Sequence, residues 1–173
     1  SPNLSSMFTR CAKLRTVTLN NVGNGANANM ESMFARSFYA EDLTAADTRA
    51  VFNKVGNGEG ANLSECFLSA RRLHTAQFTE VGTGAASNLT KLFYAAWGFT
   101  SGTFTNVATG NMSNLTQAFS VIGADSSCVA PNTRGEIRLD NVGTNAGNLD
   151  NIFQSSCGAN NLVASKISWL NSF

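Results

Sequence analysis

Few residues in this chain have the type and spacing that chemistry needs. His74 is the only histidine. It follows Leu73 with no second histidine, cysteine or carboxylate pattern beside it, so neither a metal nor a catalytic role is assigned to it. No serine sits in a G-x-S-x-G turn. The run Gly56-Asn57-Gly58-Glu59-Gly60 has the look of a phosphate loop but lacks Gly-Lys-Ser/Thr. Similar glycine loops recur at Gly23 and Gly82, so it reads as a turn. The four cysteines, at 11, 66, 128 and 157, include no C-x-x-C pair, which argues against zinc. Cys128 and Cys157 fall in adjacent stretches of a repeating pattern; they form a candidate disulfide, with two free thiols as the alternative. Cys11 and Cys66 are expected as buried free thiols. Five N-x-S/T sequons occur, at Asn3, Asn62, Asn88, Asn111 and Asn114, and Asn111 is the best candidate for glycosylation. The expectation is a non-enzyme with no catalytic residues, no cofactor and no metal.

Bulk properties point the same way. Only 13% of the 173 residues are charged and the net charge is +1, against a usual charged fraction of about 25%. Asn, Ser, Thr and Gly replace the missing charge. No polybasic run is present, so nucleic acid and anionic membrane are poor partner choices. No apolar run approaches the roughly 18 residues of a membrane span. The chain opens Ser1-Pro2 without an initiator Met or signal peptide, as a processed form or a fragment would.

What must position any site is a phrase that recurs six times. It reads NLSSMF from Asn3, NMESMF from Asn29, NLSECF from Asn62, NLTKLF from Asn88, NLTQAF from Asn114 and NLDNIF from Asn148. The Asn-to-Asn steps are 26, 33, 26, 26 and 34 residues. Such periods mark a stack of repeats in which each unit touches its neighbours.

Within the first unit, Asn3 reads as a helix N-cap. Leu4, Met7, Phe8 and Cys11 follow at i, i+3, i+4 and i+7, one face of a helix. Glu65, three residues after Asn62, suggests a capping box. Alternation around Val17 and Leu19 then predicts a half-buried strand, and Val22-Gly23-Asn24-Gly25 predicts a turn. The expected fold is therefore α/β: a leucine-rich-repeat-like solenoid of six helix-strand repeats with one parallel sheet, a single domain over 1–173. Phe8, Phe34, Phe67, Phe93, Phe119 and Phe153 should stack between helices and sheet. Asn3, Asn29, Asn62, Asn88, Asn114 and Asn148 should tie successive repeats together or cap each helix.

The run N-[LM]-[ST]-x-[ML]-F-x-x-C-x-x-L followed by a strand, best matched over Asn3 to Leu19, resembles the repeat of the BspA-like leucine-rich-repeat surface proteins. The resemblance implies an extracellular or cell-surface, non-enzymatic protein used in adhesion or partner binding.

Repeats two and five are the long ones, with their extra residues between the phrase and the strand. The chain is thus two three-repeat blocks, 3–87 and 88–173. Neither end carries an obvious polar cap, although repeat arrays need one for solubility. Leu4, Met7 and Phe8 at one end, and Trp169, Leu170 and Phe173 at the other, form a candidate assembly interface. The leading expectation is a structural repeat protein that associates head to tail with itself into a filament or surface array, adding roughly 29 Å per subunit. The alternative is an adhesin or receptor-binding module that presents its sheet face or its two insertions to other surface proteins or glycans, with Tyr39, Arg49 and Gln77 as its test positions. A distant third is ice binding, from the T-x-T pairs Thr16/Thr18 and Thr103/Thr105.

Overall fold

Six short parallel strands lie side by side in the order in which they occur in the chain. They are β1 (Thr16–Asn20), β2 (Arg49–Val55), β3 (Thr75–Val81), β4 (Ser101–Val107), β5 (Ile137–Val142) and β6 (Leu162–Ser165). The computed structural model describes residues 2–43, 48–122 and 136–154, and the backbone of 162–165. Parallel neighbours in sequential order require the chain to circle once between strands, so each repeat is one coil of a stack. The register is strict: Leu19 pairs with Phe52, Phe52 with Phe78, Phe78 with Phe104 and Phe104 with Leu139.

The expected helix-strand repeat is not what forms. Among the described residues there is no helix; the phrase that looked helical is a run of β-turns. Its hydrogen bonds show why. In the second coil the N–H groups of Met30, Ser32, Phe34 and Arg36 donate to the carbonyls of Asn62, Ser64, Cys66 and Leu68 in the third. The intervening N–H groups of Met33, Ala35 and Ser37 donate three residues back, to Met30, Ser32 and Phe34. An α-helix would send all of them four residues back. Here half the donors leave the coil and bind its neighbour.

That alternation needs left-handed residues. Twenty-one described non-glycine residues have positive φ, among them Ser32, Arg36, Glu65, Ser69, Lys91 and Ala95 in the turn runs. Each costs about 1–2 kcal/mol for an L-residue, which the bonds between coils offset. A further positive φ at Lys54, Glu80, Asn106 and Asn141 shifts the inward-outward alternation near the strand end. Val55, Val81, Val107 and Val142 consequently face the interior, fully buried.

The conserved positions of the phrase now have physical roles. The side-chain oxygens of Asn3, Asn29, Asn62, Asn88, Asn114 and Asn148 each accept from the backbone N–H two residues on, at 2.9–3.1 Å. This is the bond of an Asx turn. The six asparagines are also joined coil to coil by parallel bridges, and the Asn88 amide donates to the Asn62 oxygen at 3.2 Å. They tie coils together and open turns; they cap no helix.

The core lies between turn run and sheet. Phe8, Phe34, Phe67, Phe93, Phe119 and Phe153 stack with centroids 5.2–5.6 Å apart. Phe52, Phe78 and Phe104 of the strands form a second column that meets the first edge-on or tilted.

The sign of one glycine substitution separates the turn from the helix. Ala95 has φ +58°. Relief of a left-handed alanine, less the extra entropy of glycine, should make Ala95→Gly about 0.5–1 kcal/mol more stable. In a helix the same change would cost about 1 kcal/mol. Thermal or urea unfolding of the two proteins decides between them.

Candidate functional site

Stacking in register converts repeats of sequence into columns on the surface, and three regions follow from those columns. The first is the outer face of the sheet. Its columns read Thr16, Arg49, Thr75, Ser101; then Thr18, Val51, Gln77, Thr103, Arg138; then Asn20, Asn53, Thr79, Thr105, Asp140. Arg49 Nη2 donates to Gln77 Oε1 at 2.7 Å, and Arg138 pairs with Glu136 at 2.6 Å. A shallow groove of about 340 Å³ crosses this face between Arg49, Gln77, Thr103 and Glu136. The T-x-T rows behind the distant ice-binding alternative are thus interrupted by Arg49, bonded to Gln77, and by Arg138, paired with Glu136.

The second region is a corner where the turn run leaves the phrase. Arg10 and Arg36 occupy the same place in successive coils, two residues after Phe8 and Phe34. The N–H of Arg10 donates to the carbonyl of Ala35, and that of Arg36 to Leu68. Arg71 reaches the same corner from the third coil, its guanidinium 5.0 Å from the Tyr39 ring centroid and 4.1 Å from that of Trp97. Arg10, Ala12, Arg36, Tyr39, Ser69 and Arg71 enclose a groove of about 470 Å³. Neither Arg10 nor Arg36 has a carboxylate partner among the described residues; the Asp42 carboxylate is paired with Arg15, at 3.8 Å. Sequence reasoning marked Tyr39 alone of these residues, grouped with Arg49 and Gln77. The structure separates them: Tyr39 belongs to the corner, Arg49 and Gln77 to the sheet. Writing the repeats in register on their phenylalanines would have shown the arginine column.

The third region is the outer side of the first coil. Leu4 is half-buried, Met7 is 53% exposed and Phe8 38%. Their equivalents one coil in, Met33 and Phe34, are 2% and 1% exposed. Phe8 stacks on Phe34 at 5.2 Å. The structure therefore brings Leu4, Met7 and Phe8 together at one end of the stack. The other half of the expected interface, Trp169, Leu170 and Phe173, lies outside the described residues, as do Cys128 and Cys157.

The remaining candidates are placed as follows. Asn111 is exposed in the loop before the fifth phrase, but the hydroxyl of its sequon serine, Ser113, is buried and donates to the Gly110 carbonyl at 2.8 Å. His74 Nδ1 lies 2.6 Å from the Thr48 hydroxyl, a structural contact that joins the second and third coils. No group of three His, Cys, Asp or Glu side chains suited to a metal occurs among the described residues, and no described helix is long and apolar enough to cross a membrane. Comparison of the chain with protein-family models, with curated proteins and with solved structures gave no match.

The two described thiols differ in kind. Cys66 is buried, and its burial pushes the pKa from 9.0 up to about 12. Cys11 was expected to be buried too; it is exposed, because only one side of its coil is covered. Brief alkylation of the native protein, read peptide by peptide in a mass spectrometer, should modify Cys11 and spare Cys66 until denaturant is added. The same burial predicts that stability declines as pH rises above about 9, where the unfolded Cys66 thiol ionises and the folded one does not.

Proposed function

We propose that this chain is a non-enzymatic, extracellular or cell-surface structural repeat protein that associates end to end with further copies of itself. The observation that carries the reading is the outer side of the first coil. A stack grows by adding a coil that matches the previous one in register, aromatic column and backbone donors. The first coil offers the template for that step: the outer edge of β1, a phenylalanine ring covered on one side, and Met7 beside it. Unpaired strand edges are templates for pairing with another chain. A contact between unlike ends generates an open array when its rotation does not close a ring. The BspA-like pattern of the phrase agrees with a surface location.

A second reading is that of an adhesin or receptor-binding module. It is favoured by the two grooves, one on the outer face of the sheet and one at the arginine corner.

Sedimentation equilibrium across a range of concentration tests the first. Growing mass with concentration is expected. Met7→Lys and, independently, Phe8→Glu should reduce association at least tenfold without changing the far-ultraviolet spectrum. A wild-type chain that stays monomeric at millimolar concentration overturns the proposal.

A further inference from the structure

The corner groove has the chemistry of a ligand site, and its ligand follows from its walls. Arginine presents a planar fork of donors that matches carboxylate and sulfate oxygens in pairs. Arg10 and Arg36 sit at equivalent places one coil apart, a backbone separation of about 4.8 Å. Both are exposed and neither faces a described carboxylate partner. Two like charges so placed repel each other, and an anion bridging them removes that repulsion. Arg71 is different in character. It is only half exposed and held between the rings of Tyr39 and Trp97. A guanidinium fixed in this way loses little freedom on binding, the general advantage of preorganised groups.

The fourth wall is Tyr39, 45% exposed. An aromatic ring beside cationic forks suits a sugar ring, whose C–H face packs on the aromatic while its acidic substituent meets the arginines. The volume of about 470 Å³ lies within the range of small-ligand sites. We propose that the groove lined by Arg10, Arg36, Arg71 and Tyr39 binds an acidic carbohydrate, a glycan segment bearing carboxylate or sulfate groups. The inference rests on and deepens the binding-module reading, and its test is separate from that of end-to-end association.

Other polyanions fit less well. Affinity for a nucleic-acid backbone grows with the number of phosphates neutralised, and the groove supplies only three cations on a chain of net charge +1. Arginine clusters also recognise acidic peptides, but an exposed aromatic ring beside the arginines is what a sugar face covers, and a peptide here finds no strand edge to pair with. The corner groove is walled by side chains, and the backbone of its coils is already bonded to neighbouring coils.

The test uses the full chain carrying Met7→Lys, so that association does not contribute to the signal. Titration calorimetry with two defined hexasaccharides, one bearing uronate only and one bearing uronate and sulfate, should give saturable binding, and the pair distinguishes the two anionic groups. A neutral hexasaccharide should not bind. Arg10→Gln with Arg36→Gln, both at exposed positions, should weaken binding at least tenfold. Tyr39→Ala should weaken it about threefold or more while the salt dependence stays. The proposal is overturned by no saturable binding of either acidic hexasaccharide at millimolar concentration. It is equally overturned by affinity unchanged in the double arginine variant, or by equal or tighter binding of a glutamate hexapeptide or a short single-stranded oligonucleotide. A monomeric wild-type chain that still binds the acidic hexasaccharides would refute end-to-end association and leave the groove assignment standing.

Discussion

Everything in this molecule depends on hydrogen bonding between coils in parallel register. Strand β2 pairs with β1 on one side and β3 on the other, and the turn run opposite does the same through every second N–H. Both sides of a coil therefore advance by one strand spacing, about 4.8 Å. Rows of helices would need about 8–10 Å between axes, which would splay the turn side away from the sheet. The observed turns keep the two sides matched, and the phenylalanine column between them repeats at 5.2–5.6 Å. Offset stacking of rings at that distance is favourable in its own right. The invariant Phe and the invariant Asn answer one demand, a feature that must lie directly above its copy in the next coil.

The positions of the strands were legible because strand alternation is a strong local signal, and the pairing order follows once the repeats are counted. The turn run was misleading for a physical reason. Successive β-turns place apolar residues at i, i+3, i+4 and i+7, as Leu63, Cys66, Phe67 and Ala70 show, all fully buried. A helix has the same spacing. The asparagine is equally ambiguous, because an Asx turn and an N-cap use the same side-chain acceptor. Left-handed residues would normally be flagged by Gly or Asn. Here they include Glu65, Lys91 and Gln117, which favour helices in isolation. Local preference thus pointed to the helix, and bonding to neighbouring coils overrode it.

The surface sites were legible to different degrees. Exposure at the first coil follows from counting neighbours: an end coil has one where an interior coil has two. That is why Phe8 is 38% exposed and Phe93 is fully buried although both occupy the same place in the phrase. Cys11 and Cys66 differ for the same reason. The arginine corner was harder to see. Arg10 and Arg36 follow their phenylalanines by two residues, whereas Tyr39 follows by five and Arg71 and Trp97 by four. The N–H of Tyr39 donates to the Ala12 carbonyl, that of Arg72 to Phe38 and that of Gly98 to Arg71, one constant register that stacks these positions at one corner. Turn geometry, which the helical reading of the phrase did not supply, decides that they meet there.

The low charge content gives this corner its weight. A surface dense in both signs would screen three arginines with neighbouring carboxylates. Here the exterior is made mostly of Thr, Asn, Ser and Gly, which satisfy the stack's polar demands without carrying charge. Charged residues are 13% of the chain, and the described ion pairs join Arg15 to Asp42, Lys54 to Glu80 and Arg138 to Glu136. Arg10 and Arg36 stand outside that pairing. Exposed ion pairs contribute little to stability, about 0–1 kcal/mol, so folding exerts little pressure either to pair these arginines or to keep them. Placed one coil apart at exposed positions, the two repel each other weakly, and their donors are committed to no described carboxylate. That leaves them available to an anion, which is the premise of the proposed site, with the exposed Tyr39 ring beside them as its aromatic wall.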